Sequence, residues 1–440
     1  FARLTVMDTI IVLLNRDLRV HDHPALATAC SRGRHVVPLF VTDPVLVPHR
    51  RAGFLADALR DLRTALRRRG GDLIVRRGDP VAETMRLAGE VGATAVWVSA
   101  DVTGYAQRRE RRLAAECARR RMDFRAFPGV TVVPPDALRP EGGDHYRVFT
   151  PYWRAWVAEP RRRMLPPPAV VRLPDGLDPG PLPFAGAGPY GPLRGGETEG
   201  RRRMTLWLRH CLEGYAEAKD DLAGETTSRL SPYLHFGCLS PLELATLGAA
   251  SEDFVRRLCW RDFHHQVTRA FPAIRRRDYR PRRVRRWNDD KEAMEAWREG
   301  RTGMPIVDAA MRQLAAEGWL HDRARLIAAA YLTRCLRVDW RIGAEHFAEY
   351  LLDADVAVNC GSWQWLAGTG NDPRPHRAFN PVRQAKRFDP DGEYVRRYVP
   401  EISHLPRTFI HEPWKTGVIR HYPPPIAVNW DPVDQDLRED

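Results

Sequence analysis

Seven cysteines are scattered along the 440 residues without a Cys-x-x-Cys pair or a Cys/His cluster at metal-ligating spacing. That argues against structural zinc and fits a reducing compartment. No apolar run reaches the roughly 18 residues that a membrane-spanning helix needs, so no span is expected. The first residues, FARLTVM, are too short and too polar for a secretory signal, and Met7 is expected as the native start. These absences predict a cytoplasmic protein. No G-x-G-x-x-G follows the first strand-like run, which speaks against a dinucleotide bound on that turn. No Ser/His/Asp or paired-carboxylate hydrolase signature stands out, and no fixed-period repeat is visible. Lysine is scarce, yet Lys and Arg together number 69 and the formal net charge is +13. Such a balance points to a polyanionic partner, nucleic acid ahead of a membrane surface. A genome that favours arginine codons gives the same excess.

Hydrophobic residues make up 43% of the chain, enough for a sizeable core, and its length suits two or three domains. The first part alternates strand-like and helix-like segments. IIVLLN (10–15), VVPLFV (36–41), LIVRR and AVWVSA read as buried strands. FLADALRDLRTALRRRG places Leu55, Leu59, Leu62 and Leu66 at helical spacing before Gly70, and YAQRRERRLAAECARRR reads as a second helix. This alternation predicts an α/β domain over 1–135, a parallel Rossmann-like sheet with helices on both faces. A stretch over 136–200, rich in Pro and Gly from about Leu165, reads as a linker wrapping the surface. From 201 to 440 the pattern is helical throughout, which predicts an all-α domain.

Several motifs carry polar chemistry. In TTSRLSPYLHFGCLSP (226–241), Thr227, Ser228 and Ser231 are expected to cap a helix, whose N-terminus would favour a phosphate. An ordinary capped helix accounts for the same residues. GWLHDRARL puts His321 and Arg325 four apart on one helix face, and WRDFHHQ does the same for Trp260 and His264. A solvated basic face and an amphipathic tryptophan are the plainer readings. His21 and His23 lack a third ligand nearby and read as structural. IRRRDYRPRRVRRW (274–287) holds Arg275, Arg276, Arg277, Arg280, Arg282, Arg283, Arg285 and Arg286, interleaved with Tyr279 and Pro281. It suits a loop gripping phosphates, with binding that weakens steeply with salt, or else a solvated loop. DADVAVNCGSWQW (353–365) combines two Asp, an Asn and two Trp without a single Lys or Arg, which marks an interior rather than a surface loop.

Taken in order, NRDLRVHDHPAL (15–26), HYRVFTPYWRAW (145–156), TSRLSPYLHFGCLSP, WRDFHHQV, GMPIVDAAMRQL, GWLHDRARL, DADVAVNCGSWQW and FNPVRQAKRFD resemble the photolyase/cryptochrome family over nearly the whole chain. The pattern is most similar to the bacterial class I cyclobutane-dimer branch. The resemblance implies an antenna-bearing α/β domain, a long linker and an all-helical domain that binds FAD and DNA. Carried over position by position, Tyr215, Thr227, Ser228, Arg229, Leu230 and Ser231 match residues around the FAD phosphates. Phe254 matches an aromatic against the cofactor. Arg325 and Asp353 match a salt-bridged pair beside the isoalloxazine ring, Asp355 a carboxylate near its pyrimidine edge, and Asn359 the residue facing N5. Asn359 offers a hydrogen bond without a readily transferable proton, which favours a repair enzyme over a plant-type photoreceptor.

Trp363, Trp340 and Trp287 match the family's electron route from flavin to surface. Trp260 and Trp365 match the aromatics facing a lesion flipped out of DNA. Lys219, Arg323 and Gln384 match positions near the DNA backbone or pocket rim. Three positions depart from the usual pattern: Arg257 stands for a Glu, Asp322 for an Asn, and Leu326 for a Met. Arg257 and Asp322 are expected to be a coupled charge swap. The Asn-Glu pair of folate-binding relatives is replaced by Ala106 and Gln107, so an 8-hydroxy-deazaflavin antenna is expected rather than folate. The implied function is light-driven splitting of pyrimidine dimers in UV-damaged DNA by reduced FAD, performed by a monomer. A cryptochrome-like blue-light sensor is the alternative.

Overall fold

The computed structural model describes residues 7–45, 49–184, 186–188, 190–224, 226–281, 287–371 and 379–427. The expected native start leaves residues 1–6 outside these, and four arginines of the basic run, Arg282, Arg283, Arg285 and Arg286, also lie outside them.

Five strands form one sheet: β1 (Met7–Leu14), β2 (Gly33–Thr42), β3 (Ile74–Arg77), β4 (Ala95–Ser99) and β5 (Asp123–Phe127). Their order is β3-β2-β1-β4-β5, and every neighbouring pair is parallel. The helices are α1 (Pro24–Arg32), α2 (Ala52–Arg67), α3 (Pro80–Glu90), α4 (Gly104–Arg119), α5 (Phe149–Ala158), α6 (Glu197–His210), α7 (Tyr215–Ala218), α8 (Ser231–His235), α9 (Pro241–Leu247) and α10 (Glu252–Ala270). They continue with α11 (Lys291–Glu299), α12 (Pro305–Glu317), α13 (Asp322–Ala330), α14 (Trp340–Tyr350), α15 (Val356–Ala367), α16 (Pro381–Phe388) and α17 (Glu393–Tyr398). A π-helical turn over Tyr331–Cys335 prolongs α13. The α/β and all-helical parts expected from the sequence are thus both present. None of these helices is long and apolar enough to cross a membrane.

By contact density the chain separates into two compact units, Phe1–Glu213 with Ser228–Pro272, and Gly214–Thr227 with Ala273–Asp440. In the first unit the strand runs are buried on both faces. Ile11, Leu13, Val37, Leu39, Val96 and Val98 pack with Val81 and Met85 of α3 and Leu113 and Cys117 of α4. The alternate residues Ile10 and Val12 are equally buried and face the other way, the side on which α1 packs across the sheet. β5 has no apolar run to mark it, because it is a short edge strand with no fully buried residue. The stretch expected as a linker over 136–200 contains α5 and the start of α6; between these two helices its Pro/Gly-rich part has no helix or strand among its described residues, but it is tied down. Val36 N–H donates to Arg172 O, Val171 N–H to Arg69 O, and Val75 N–H of the edge strand β3 to Pro179 O. The stretch therefore covers a sheet edge that would otherwise present unpaired amides.

The Asn15–Leu26 motif leaves β1 where the strand order reverses, and it forms a buried polar network. Arg19, 1% exposed, donates to the carbonyls of His21, Asp22, Gly129 and Gly237. Asp17 pairs with His23, which also caps α1. Arg162 grips Asp22 through two nitrogens at 2.5 and 2.7 Å, and Ser240 donates to the same carboxylate. His21 and His23 are structural, as their sequence context indicates. Among the described residues no cluster of three His, Cys, Asp or Glu side chains could hold a metal ion.

Burial works against ionisation of Asp22, but the Arg162 and Ser240 hydrogen bonds and the Arg162 charge outweigh it and hold the carboxyl below its usual value. A lowered folded-state pKa makes the contribution fully present above the unfolded value of 3.8 and lost as pH falls through the folded value. We expect Asp22→Asn to lower stability near pH 7 and to lessen its further loss on acidification. Denaturant melts at pH 7 and pH 3 measure both, and an unchanged acid dependence would remove Asp22 from the account.

Candidate functional site

In the second unit the candidate residues gather on α13, α14 and α15. Asp353 precedes α15 and is nearly buried. Nη2 of Arg325, on α13, donates to both its oxygens at 3.0 and 2.8 Å, while Nε donates to Leu320 O at 2.9 Å. The expected ion pair is therefore formed, with the guanidinium further fixed by a backbone carbonyl. Asp355 caps α15, its Oδ1 accepting from the amides of Ala357 and Val358. A carboxylate at a helix N-terminus is favoured by both the free amides and the dipole.

Along α15, Val358, Asn359, Ser362 and Trp365 are partly exposed, while Ala357, Cys360, Gly361, Trp363, Gln364 and Leu366 are buried. At 3.6 residues per turn the first four share one face. Asn359 Nδ2 donates to Ala344 O of α14 at 2.8 Å. That bond fixes the amide, so Oδ1 is the atom left to accept from a ligand's N–H. Trp363, 2% exposed, lies edge-on to Phe347 at 5.0 Å and to Trp297 at 6.0 Å between ring centroids. A Cβ at position 343 would collide with its Cη2, so glycine is needed for the indole to press against α14. Gly343 is one turn beyond Trp340, which is fully buried, donates Nε1–H to Asp278 at 2.9 Å and carries the Arg341 guanidinium 4.7 Å from its ring. Trp287 is half-buried. The next residue, Asn288, is bonded to the carbonyls of Leu336 and Arg337.

Gln364, between the two tryptophans of the motif, is fully buried. Its Nε2 donates to Ile274 O and Arg277 O, and its Oε1 accepts from Tyr279 N–H. It thereby anchors the described part of the basic run, where Arg275, Arg276 and Arg277 are exposed. Sequence reasoning passed over Gln364 and Gly343. A polar residue between two aromatics on an apolar helix was the available signal for the first.

Two expectations need correction. His321 and Arg325 do not share a helix face: His321 is the N-cap of α13, buried, its Nδ1 accepting from Arg323 N–H at 3.0 Å. The histidine stands just before the first helical residue, and only its carbonyl, which accepts from Arg325 N–H at 2.9 Å, joins the helix. Nor do Thr227, Ser228 and Ser231 cap a helix. The N-cap of the five-residue α8 is Leu230, without a side-chain hydrogen bond, and Ser228 Oγ accepts from Leu230 N–H at 3.4 Å. Arg229 adopts φ of 50°, a left-handed turn that sets the chain direction just before the helix.

Other candidates stand on other elements. Tyr215, Thr227 and Lys219 are half-buried in and after α7. Arg323 donates to Asp220 at 2.7 Å and sits 4.3 Å over the Phe388 ring, so its charge is already held. Asp322 is exposed, and Leu326 and Gln384 are half-buried. In the first unit, α10 carries Phe254, Arg257 and Trp260. Phe254 is buried against Trp207 at 4.7 Å. Trp260 stacks on Phe149 of α5, with ring centroids 3.7 Å apart and planes within 3°. Asp262 fixes this helix by accepting from the amides of Val132 and Val133 and from Trp156 Nε1. Burial pushes its pKa up.

Comparison with known proteins agrees with this layout. A family described as the FAD binding domain of DNA photolyase matches residues 254–434, and one described as DNA photolyase matches residues 10–171. The deoxyribodipyrimidine photo-lyase of Streptomyces griseus is 48% identical, with 96% of each chain covered. A cryptochrome DASH of Gloeobacter violaceus is 35% identical over 92% of this chain and 88% of its own. The crystal structure of a bacterial class III photolyase from Agrobacterium tumefaciens superposes with a TM-score of 0.89 at 31% identity, covering 98% of this chain and 96% of that one. The chain belongs to the DNA photolyase family and carries its FAD-binding domain.

Asp353→Asn should cost on the order of 3 kcal/mol, because it leaves the Arg325 guanidinium with one neutral partner in place of a carboxylate. Gly343→Ala should cost about 1–3 kcal/mol by overpacking and should alter the near-UV circular dichroism of Trp363. Chemical denaturation reads both. Wild-type stability in Gly343→Ala would contradict the close helix contact.

Proposed function

We propose that this protein is a light-driven DNA-repair lyase that splits cyclobutane pyrimidine dimers, of the class I type. The observation that carries the reading is α15, whose open face presents the Asn359 amide oxygen and Trp365, with the capping carboxylate of Asp355 and the indole of Trp363 buried beside it. The donor set fits a flavin. Asn359 presents Oδ1, an acceptor suited to a ring nitrogen that bears hydrogen, and it has no acidic proton to give. Arg325 places a paired cation next to the same helix start. When bound, reduced FAD supplies one-electron chemistry under light: an electron passes to the dimer, two carbon–carbon bonds break, and the electron returns, so there is no net redox change.

The remaining work falls to the chain. Tyr215, Thr227, Ser228, Arg229, Leu230, Ser231 and Phe254 hold the cofactor's phosphates and flank. Asp355 addresses its pyrimidine edge. Trp363, Trp340 and Trp287 carry electrons inward to restore the reduced state. Trp260 and Trp365 face the extruded lesion, Lys219, Arg323 and Gln384 lie near the DNA backbone or pocket rim, and the basic run grips DNA phosphates. Arg257 offers donors to the lesion carbonyls in place of the usual Glu, and Asp322 and Leu326 modify the same contacts. We assign the α/β domain to 1–135, the linker to 136–200 and the FAD- and DNA-binding domain to 201–440, in a cytoplasmic monomer. An antenna, if carried, is an 8-hydroxy-deazaflavin. Gln107 Nε2 donates to Val102 O at 2.7 Å and Ala106 is buried, which leaves no carboxylate there to seat a folate. The departures at Arg257, Asp322 and Leu326 favour one competing reading, a flavin photoreceptor without repair.

The test is repair of a thymine-dimer oligonucleotide by the purified, photoreduced protein under near-UV and blue light. We expect light-dependent loss of the dimer, slowed about tenfold, or roughly 1.4 kcal/mol, by Arg257→Ala or Asp322→Ala. Unchanged rates in both variants would remove these residues from the mechanism. Bound FAD with no repair would make the protein a sensor.

A further inference from the structure

Trp363 has two aromatic neighbours that no part of the proposed electron route uses. One is Phe347, which is too hard to oxidise to carry a hole. The other is Trp297 of α11, fully buried, whose ring meets Trp363 edge-on at 6.0 Å. Trp297 in turn lies 5.4 Å from the His346 ring, and His346 stacks on Tyr350 at 4.5 Å with planes 29° apart. His346 and Tyr350 sit on α14 four residues apart, one above the other. Both line a cavity of about 750 Å³ that opens to solvent and also carries Glu345, Glu349, Glu295 and Arg298. An unbroken line of rings, each within 6.0 Å of the next, thus runs from Trp363 to a polar cavity.

We propose that this line is a second exit for oxidising equivalents, ending at Tyr350. The proposal rests on the flavin reading above, since the oxidant is light-excited oxidised FAD. One electron leaves Trp363, and the hole passes to Trp297. The Trp297 Nε1–H donates to Ala328 O at 3.0 Å, and a neutral carbonyl is too weak a base to take that proton, so the hole stays mobile. Imidazole is harder to oxidise than indole, so His346 bridges the next step rather than holding the charge. Tyr350 then gives up an electron and its phenolic proton, the proton passing to water of the cavity. A small thiol entering the cavity returns a hydrogen atom to the tyrosyl oxygen and leaves as a thiyl radical. Phe347 stacks on Trp297 at 6.0 Å and meets Trp363 at 5.0 Å, which holds both indoles in place. Plain packing accounts for rings in a core, but it gives no reason for the line to end on a tyrosine in an open cavity.

The experiment uses FAD-loaded protein with dithiothreitol, in the wild type and in Trp287→Phe, where the other exit is closed. The readouts are photoreduction by absorbance and protein radicals by electron paramagnetic resonance. We expect Trp287→Phe to retain photoreduction within about tenfold of wild type and to show a tyrosyl signal. Adding Tyr350→Phe, a change of one hydroxyl, should abolish both while leaving FAD bound. Photoreduction that is present in the wild type and lost in Trp287→Phe overturns the Tyr350 exit alone. A tyrosyl signal that survives Tyr350→Phe also overturns it. Failure of the wild type to bind or photoreduce FAD instead overturns the flavin reading beneath it.

Discussion

The contact of α14 with α15 is the constraint on which the second unit's chemistry depends. Gly343 has no side chain, so the Trp363 indole lies directly against α14, and the Asn359 amide reaches Ala344 O one residue further on. Two neighbouring positions of one helix therefore fix both the Trp363 indole and the Asn359 amide, to which the proposal gives the start of the electron route and the contact with the flavin. Interiors are packed to crystal-like density and do not deform continuously, so a shift in either residue is felt by the other. Trp340 begins α14, and Tyr350 ends it. One short helix thus carries a member of each proposed exit.

In both units buried polar groups do the positioning. Arg325 is held by Asp353 and Leu320, Gln364 by three backbone groups of the basic loop, and Asp262 by two amides and an indole. Each is held by several hydrogen bonds, which offset the cost of burying a polar group. A buried ion pair contributes little net stability against an apolar replacement, because desolvation offsets attraction. Its consequence is geometry: a guanidinium bonded to a carbonyl as well as a carboxylate has one orientation. The same holds in the first unit, where Arg19 reaches four carbonyls and turns the motif after β1 into a rigid hub.

Much of this was legible in the sequence. Four of the five strands are apolar runs, and buried parallel strands must be apolar because both faces are covered. The order of eight motifs identified the family, and so the cofactor. Other parts were not legible for physical reasons. β5 is an edge strand and carries no buried pattern. Helix starts at His321 and Leu230 were misread because a cap is decided by one backbone angle and not by composition. Gly343 and Gln364 could not be found from spacing, since their roles exist only between α14, α15 and the basic loop. Trp297 lies in none of the motifs, and only the ring distances link it to Trp363.

The central claim is that the open face of α15 receives the flavin. A crystal structure of the FAD-loaded protein tests it most directly. The account predicts Asn359 Oδ1 within hydrogen-bonding distance of flavin N5 and Trp363 as the tryptophan of the proposed route nearest the ring system. An isoalloxazine placed away from α15, or one met by Asn359 Nδ2 after its bond to Ala344 has broken, would contradict it.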